Sequence, residues 1–187
     1  MVKRKRSGMW RRVDLIPDRR ILLTDPLDRD KKELCDDAWG MPLKISIGSD
    51  HGGFELKQLL MERIREEGHD VIDRGCESPD PVDYPDIAAD VSKDVIAKNA
   101  DRGILICGTG IGMSNSASRF EGIVAALCTN SYMAKMSRLH NAANILCLGG
   151  RVVGSELAWD TVSSFLNNDP LESERYVRRR EKVRSLP

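Results

Sequence analysis

From Leu43 onward, short apolar runs alternate with longer stretches in which apolar residues recur at helical spacing. Residues 54–67, for example, carry Leu56, Leu60 and Ile64 at intervals of four and end before Gly68, a typical helix stop. Strands are predicted at 44–48, 70–73, 104–106, 123–127 and 144–148. Helices are predicted at 54–67, 87–98, 131–139, 154–166 and 171–183, with a further helix starting near Ile111. This alternation predicts right-handed βαβ units, and therefore an α/β fold with a parallel sheet of about five strands covered by helices on both faces.

The first 40 residues follow neither a helical nor a strand period. They begin with a basic cluster, Lys3 to Arg6, after which residues 14–37 mix many charges with prolines. We expect residues 1–40 to be a poorly ordered charged extension, in which Ile21 to Leu23 docks locally, and residues 41–187 to be the folded domain. An arm that binds nucleic acid or a membrane surface is the alternative, but the basic cluster is short and acidic residues follow it.

The segment GILICGTGIG, from Gly103 to Gly112, joins a strand end, a cysteine and a glycine-rich loop. Ile104 to Ile106 is typical of a buried parallel strand, and Cys107 ends it. The glycines at alternate positions that follow let the backbone approach a ligand closely, with N–H groups turned inward. A helix that starts near Ile111 would place its positive end beside the thiol, which favours a thiolate and makes the loop an anion site. A base or nucleophile and an oxyanion cradle therefore share this segment, which is a candidate active site.

The same segment also has a plainer interpretation. A cysteine that ends a buried strand is often only a small core residue, and glycine-rich turns often serve only tight packing. Spacing excludes two sharper motifs. A Cys-x5-Arg phosphatase loop needs an arginine where this chain has Met113. A dinucleotide fingerprint needs G-x-G-x-x-G and an acidic residue about 20 positions later, whereas this chain has G-x-G-x-G, and Cys128-Thr129-Asn130 follows its next strand.

Composition and charge exclude several classes of protein. The 187-residue chain suits one domain with an ordinary core, and its 29 Lys and Arg balance its 29 Asp and Glu, so no global field points to nucleic acid or membrane. No apolar run approaches the roughly 18 residues of a membrane span, and no secretory segment is visible. The five cysteines lack C-x-x-C spacing, which argues against a zinc cluster or a disulfide framework and favours a reducing compartment. We expect a cytoplasmic enzyme.

Chemistry-bearing residues gather at the carboxyl ends of the predicted strands, where parallel α/β sheets bind their ligands. Asp50-His51 follows the first strand, Cys107 to Gly110 the third, and Arg151 the last. His140 and Asn141 instead precede the last strand, at the opposite edge of the same subunit. A second subunit could bring them into a site, which points to a dimer. Taken singly, His51 and His140 are more typical of surface or capping residues, and only together do they suggest proton transfer near neutral pH.

The last predicted helix carries a run of arginines between 175 and 180. Such a run ordinarily forms a solvated helix face. Arg175 and Arg179, however, lie four positions apart and share one side of the helix, where their planar guanidinium groups could grip a phosphate.

Five segments, in order and at the expected separations, carry a resemblance to a known family. They are GSDHGGF at 48–54, DYPD at 83–86, GILICGTGIGM at 103–113, SRLHN at 137–141 and LGGRVVG at 148–154. With them, the region from about Leu43 to Glu181 resembles the ribose-5-phosphate isomerase B family, which also contains the galactose-6-phosphate isomerase subunits. The resemblance implies a Rossmann-like three-layer α/β sandwich with a C-terminal helix. It also implies a homodimer or a dimer of dimers, with a site that two subunits complete and that needs no metal or cofactor.

The activity that the resemblance implies is aldose–ketose isomerisation of a phosphosugar, the interconversion of D-ribose 5-phosphate and D-ribulose 5-phosphate through an enediolate in the pentose phosphate pathway. Cys107 matches the base that moves a proton between C2 and C1, His140 the group that assists ring opening, and Thr109 a helper hydroxyl. The loop N–H groups would hold the enediolate oxygens. The positions that match substrate contacts are Asp50, His51, Gly108, Thr109, Gly110, Ile111, Gly112 and Asn141, with Arg151, Arg175 and Arg179 on the phosphate side.

The chain departs from the family pattern at a few positions. Tyr176 stands where many relatives carry histidine, and Ala117-Ser118-Arg119 stands where Ala-Asn-Lys is usual. Met113 occupies the place of a glutamate base found in some relatives, so Cys107 has no visible substitute. Two alternatives stay open. One is an isomerase of a hexose or tetrose phosphate, and the other is a catalytically idle sugar-phosphate sensor, which would more readily have lost Cys107 or His140.

Overall fold

A computed structural model describes residues 42–186, so the predicted extension at 1–40 lies outside the described residues. The strands are β1 (Lys44–Ser49), β2 (Asp70–Asp73), β3 (Arg102–Cys107), β4 (Ala125–Leu127) and β5 (Ile145–Gly149). The helices are α1 (Phe54–Glu66), α2 (Tyr84–Ile96), α3 (Ile111–Ala117), α4 (Ser131–Asn141), α5 (Ser155–Leu166) and α6 (Glu174–Arg184). The strands pair in parallel in the order β2-β1-β3-β5-β4. The predicted Rossmann-like α/β sandwich is confirmed.

Helices cover both faces of the sheet. Helices α1, α4 and α5 pack on one face and α2 and α3 on the other, while α6 lies outside them against α4. Because successive strand side chains point to opposite faces, Ile104 and Ile106 of β3 pack under the first layer, and Leu105 and Cys107 under the second. All four are buried, and each fully buried aliphatic side chain contributes roughly 1.5–3 kcal/mol. The strand that forms the centre of the core therefore also aims Cys107 at the α2/α3 layer.

The neighbouring strands β1 and β3 lead to helices on opposite faces of the sheet, α1 and α3 respectively. Their connections therefore diverge and leave a crevice at the carboxyl ends of the strands, the usual ligand position in such sheets. Backbone hydrogen bonds fix the loops around the crevice. The Asp50 N–H donates to Ile106 O at 3.2 Å, and the Gly150 N–H donates to Cys107 O at 2.8 Å.

Several element boundaries differ from the predicted ones by one to three residues, and three of these differences have a visible cause. Helix α2 begins at Tyr84 rather than at 87, because Pro85 is tolerated in the first turn, where its missing N–H costs nothing. Helix α6 begins at Glu174 rather than at 171, since the Leu171 N–H donates to Leu139 O and not to a helical acceptor. Strand β4 begins at 125 rather than at 123, because the Val124 N–H donates to the side chain of Asn144.

Lys57 of α1 is fully buried, which the helical pattern alone does not indicate. Its ammonium group donates to both carboxylate oxygens of Asp73 at 2.8 Å and to Cys76 O at 3.0 Å. The Cys76 N–H in turn donates to Ser49 O at 3.0 Å. A buried lysine therefore ties the loop after β2 to the end of β1, directly before the first crevice loop. Among the described helices, none is long and apolar enough to cross a membrane.

Candidate active site

The Cys107 thiol lies at the end of β3 and is 5% exposed. The Gly110 N–H donates to its sulfur across 3.1 Å. Gly110 is the N-cap of α3 and has a φ of +78°, a left-handed conformation that glycine adopts without the usual steric cost. The chain thus turns back sharply over the thiol, and the predicted helix start at Ile111 is confirmed. The Cys107 sulfur therefore lies at the start of α3 and accepts a backbone hydrogen bond there.

Cys128 and Cys147 provide a contrast within the same fold. Burial raises the pKa of the Cys128 thiol to about 11. Burial also raises the pKa of the Cys147 thiol, and the neighbouring Cys107 and Cys128 thiols add to this rise. Both groups therefore stay protonated near neutral pH, where they behave as small apolar core residues. The plainer interpretation of a strand cysteine fits these two, whereas Cys107 ends its strand at the glycine-rich loop and has a hydrogen-bond donor on its sulfur.

The glycine-rich loop contains both used and open N–H groups. Besides the Gly110 N–H, which donates to Cys107, the Ile111 N–H donates to Thr109 Oγ1 at 3.3 Å. Within residues 42–186, the N–H groups of Gly108, Thr109 and Gly112 donate no hydrogen bond to the protein. Three of the five predicted donors are thus available to a ligand oxygen, and the other two shape the loop.

The loops after β1 and β5 pack directly against this loop. A Cβ atom on Gly52 would lie 3.0 Å from the nitrogen of Gly108, so the two backbones touch. The Asp50 carboxylate is 7% exposed and accepts the Gly52 N–H at 2.8 Å, while His51 beside it is exposed. The Arg151 N–H donates to Gly108 O at 3.1 Å, and its side chain lies alongside Gly108. The structure therefore brings Asp50, His51, the glycine-rich loop and Arg151 together, as the strand-end rule predicts.

Tyr84, which our sequence analysis did not include among the site residues, borders the same crevice. A Cβ on Gly112 would lie 2.8–3.2 Å from atoms of the Tyr84 ring, so the ring rests on the loop at its open side. The side chain is 40% exposed although it begins a helix next to the core. The DYPD segment was the available signal, but its spacing alone does not show that the first turn of α2 meets the start of α3.

The remaining predicted residues lie at the amino-terminal ends of the strands, opposite the loop that follows Cys107. His140 and Asn141 end α4, before β5 begins at Ile145, whereas Cys107 pairs in register with Gly149, at the end of β5. Strand β5 alone separates these edges by about 13 Å, at roughly 3.3 Å per residue. One subunit therefore does not bring His140 and Asn141 to Cys107.

The two candidate phosphate ligands on α6, Arg175 and Arg179, belong to a helix that contacts His140. Tyr176 stacks on the His140 ring, which places the first turn of α6 beside the end of α4. Among the described residues, Arg178 pairs with Glu174 and Arg180 with Glu172, whereas Arg175 and Arg179 form no ion pair with a carboxylate. The arginine run thus divides into two residues that pair with a carboxylate and two that do not, within the described part of the chain.

Known proteins resemble this chain over most of its length. The sequence profile described as Ribose/Galactose Isomerase matches residues 45–183. Ribose-5-phosphate isomerase B of Escherichia coli strain K12 is 43% identical over 143 residues, which are 76% of this chain and 95% of that protein. Ribose-5-P isomerase B of Listeria innocua is 42% identical over 127 residues, which are 68% of this chain and 86% of that protein.

Solved structures are similar over the same region. Ribose-5-phosphate isomerase B of Clostridium thermocellum superposes with a TM-score of 0.73 at 49% identity, covering 75% of this chain and 95% of that one. A ribose 5-phosphate isomerase of Thermotoga maritima superposes with a TM-score of 0.74 at 46% identity, covering 77% of this chain and 99% of that one. Because the family profile spans most of the chain and the relatives share both sequence and fold along nearly their whole length, the chain belongs to the ribose/galactose isomerase family.

Proposed function

We propose that this protein interconverts D-ribose 5-phosphate and D-ribulose 5-phosphate through an enediolate, with Cys107 as the base. Relatives that carry the name ribose-5-phosphate isomerase B match this chain over nearly their full length. The observation that carries the proposal is the 3.1 Å hydrogen bond from the Gly110 N–H to Cys107 Sγ, in a loop with further open N–H groups. This contact supports the proposal because the Cys107 sulfur, as the base, then lies next to N–H groups that can hold an oxyanion, the two kinds of group that enediolate chemistry needs.

The proton transfer balances within the substrate and one thiol. In the open-chain aldose, the Cys107 thiolate removes the proton from C2, and the electron pair moves through C1 to O1 to form the enediolate. The thiol then returns the proton to C1, while a proton passes from O2 to O1, so that C2 becomes the ketone. A positioned base of this kind typically contributes about 10²–10⁴-fold to the rate.

The loop supplies stabilisation of the enediolate. In this proposal, the open N–H groups of Gly108, Thr109 and Gly112 donate hydrogen bonds to O1 and O2, where negative charge develops. The Thr109 hydroxyl assists them. Asp50 and His51 stand at the neighbouring strand end, where they are placed to bind the sugar hydroxyls. Hydrogen bonds within their own loops hold the Asp50 carboxylate and the backbone around Gly110, which limits reorganisation during the reaction.

The complete site is formed between two subunits in this proposal. His140, Asn141, Arg175 and Arg179 of one chain complete the Cys107 site of a second copy, with His140 assisting ring opening and the arginines holding the phosphate with Arg151. Two observations support a partner at the crevice. The half-sites lie at opposite sheet edges, and the side chains around the crevice include several exposed apolar ones: Ile111 (53% exposed), Val152 (56%) and Tyr132 (71%).

A panel of phosphosugars tests the substrate. We expect the purified protein to convert D-ribose 5-phosphate with a higher kcat/KM than D-galactose 6-phosphate or D-erythrose 4-phosphate. Cys107→Ala protein, prepared in parallel, controls for a contaminating isomerase. If kcat/KM is tenfold higher for the hexose or tetrose phosphate, that sugar is the substrate and the proposed mechanism is kept. No conversion of any sugar by the wild-type protein would overturn the proposed function and favour a sugar-phosphate sensor.

A further inference from the structure

The rings of His140 and Tyr176 stack with their centroids 4.6 Å apart and their planes inclined by only 8°. His140 lies in the last turn of α4 and Tyr176 in the first turn of α6, so the contact joins two separate helices. Within residues 42–186, the His140 imidazole makes no hydrogen bond, and a ring of this kind would otherwise rotate about its side-chain bonds. The stacked ring restricts that rotation while both imidazole nitrogens stay open to a ligand.

The stack does not depend on the two rings alone, because the segment that leads from α5 into α6 is anchored to α4. The Leu171 N–H donates to Leu139 O at 2.9 Å, and the Arg180 guanidinium donates to Leu171 O at 2.8 Å. The Arg138 side chain, only 3% exposed, donates to Asn168 O at 3.0 Å. These contacts hold the start of α6 beside the end of α4, and so they hold Tyr176 over His140.

A further contact braces the Tyr176 ring itself. The guanidinium carbon of Arg175 lies 4.6 Å from the ring centroid, and the same group donates to the Tyr176 hydroxyl. Cations over an aromatic face are attracted by the negative potential of the ring. Tyr176, the position at which the chain departs from the histidine of many relatives, therefore lies between a candidate phosphate ligand and the candidate ring-opening group.

We propose that Tyr176 is a positioning residue that holds the His140 imidazole in the orientation from which it reaches the sugar bound by a second subunit. The proposal rests on the proposed function, in which His140 assists ring opening. An imidazole that exchanges a proton with a sugar oxygen must lie within hydrogen-bond reach of it, and a misplacement of about 1 Å can cost about 100-fold in rate. The ring of Tyr176, and not its hydroxyl, carries this role.

Steady-state kinetics of five proteins test the proposal: wild type, Tyr176→Phe, Tyr176→Leu, His140→Asn and the double variant Tyr176→Leu/His140→Asn. The assay uses D-ribose 5-phosphate or, if the panel prefers another sugar, that sugar. We expect Tyr176→Leu to lower kcat roughly 10- to 100-fold with KM nearly unchanged, and Tyr176→Phe to restore most of kcat. The double variant should be no slower than His140→Asn alone, because Tyr176 acts only through His140.

Additivity distinguishes positioning from a general structural role, which would slow the double variant further. The proposal is overturned if Tyr176→Leu keeps the wild-type kcat, or if the kcat losses of the two single variants add in the double variant. It is also overturned if Tyr176→Leu raises only KM, a result that would assign Tyr176 to phosphate binding through Arg175. Helix α6 has no buried residue, so leucine at 176 should leave folding intact, and thermal melting checks this. If that variant does not fold, Tyr176→Gln replaces it in the same scheme. An inactive wild-type protein would overturn both the proposed function and this proposal. If the wild type is active and His140→Asn is slow, the proposed function stands, and the Tyr176 variants then test this proposal alone.

Discussion

The Gly110 N–H points at the sulfur of Cys107, three residues earlier, across 3.1 Å. The hydrogen bond requires both the end of β3, which places the thiol, and the left-handed turn at Gly110, which returns the chain over it. A side chain at position 110 would also lie 2.9 Å from the carbonyl carbon of Leu148, so the turn is sterically reserved for glycine. The thiol and its donor are therefore set by backbone geometry and not by a mobile side chain.

Replacing Cys107 by serine or alanine should leave folding and ligand binding nearly intact but lower kcat by about 10²–10⁴-fold, the usual contribution of a positioned base. The changes in volume are small at a side chain that is already at the edge of the core. Steady-state kinetics give kcat, and calorimetric titration with an acyclic sugar phosphate acid such as 5-phospho-D-ribonate gives binding. A near wild-type kcat in either variant would remove Cys107 from the mechanism.

Cys128→Ala provides the matched control for Cys107→Ala. Cys128 is equally small and buried, but burial holds its pKa high, and it packs in the core on the opposite face of the sheet from Cys107. We expect this variant to keep kcat within about threefold of wild type while losing about 1 kcal/mol of stability from the lost buried atoms. A comparable collapse of activity in both alanine variants would indicate a packing defect and not a lost base.

Mixing inactive Cys107→Ala subunits with inactive His140→Ala subunits should regenerate activity. Cys107 and His140 lie at opposite edges of one subunit, so a hybrid dimer contains one site with both residues intact. Random pairing in a two-fold dimer predicts about one quarter of the wild-type activity. The recovered rate is measured against each variant alone and against time after mixing.

Subunit exchange must be shown independently for that experiment to be decisive. A tagged Cys107→Ala chain that captures untagged His140→Ala chains from the mixture shows it directly. Exchange without any recovered activity would contradict the shared site and would require each subunit to hold its own complete site.

Much of the fold is readable from the apolar pattern because most strands and helices bury one side or face, although α6 does not. The run Ile104 to Ile106 is apolar throughout since β3 is covered on both faces, and the helical spacing of Leu60 and Ile64 marks the face of α1 that packs on the sheet. The glycine-rich loop is likewise readable, because the positive φ at Gly110 favours glycine at that position of the sequence.

Contacts between side chains of distant segments leave no such pattern. Lys57 looks like a solvated helix residue, and only the approach of Asp73 and the Cys76 carbonyl makes its burial favourable. The stack of Tyr176 on His140 depends on where residues 168–173 place α6, which no local periodicity encodes. Local propensity therefore predicts the elements and the loop, whereas the support of the site depends on tertiary packing.

Deletion of residues 1–40 should leave kcat, KM and assembly largely unchanged. The segment follows no helical or strand period, and the family profile matches only from residue 45 onward, so little of the core should depend on it. Kinetics and light scattering on the truncated and full-length proteins compare activity and mass directly. A truncated protein that is insoluble or has a smaller assembly would assign the segment a structural role.

Asp94 should make stability depend on pH below about 5. Asp94 is 4% exposed, and its carboxylate accepts hydrogen bonds from the Arg74 guanidinium at 2.8 and 3.0 Å and from Ser46 Oγ at 2.8 Å. The bond to Arg74 is the largest cause that lowers the Asp94 pKa below its ordinary value of about 4. A depressed carboxylate pKa stabilises the fold above the ordinary pKa, and this stabilisation is lost as the pH falls from about 5 through the folded-state value.

Asp94→Asn should therefore be less stable than wild type by about 1–3 kcal/mol at pH 7, with the gap closing between about pH 5 and pH 3. Urea unfolding at pH 7, 5 and 3 measures it. Asp90→Asn is the control on the same helix, since Asp90 is exposed and its ion pair with exposed Lys93 is worth well under about 1 kcal/mol. Because the acid titration of all other carboxylates is common to both variants, only the difference between them reports on Asp94. An Asp94→Asn gap that stays constant from pH 7 to pH 3 would show that the folded protein does not hold this carboxylate in its charged form.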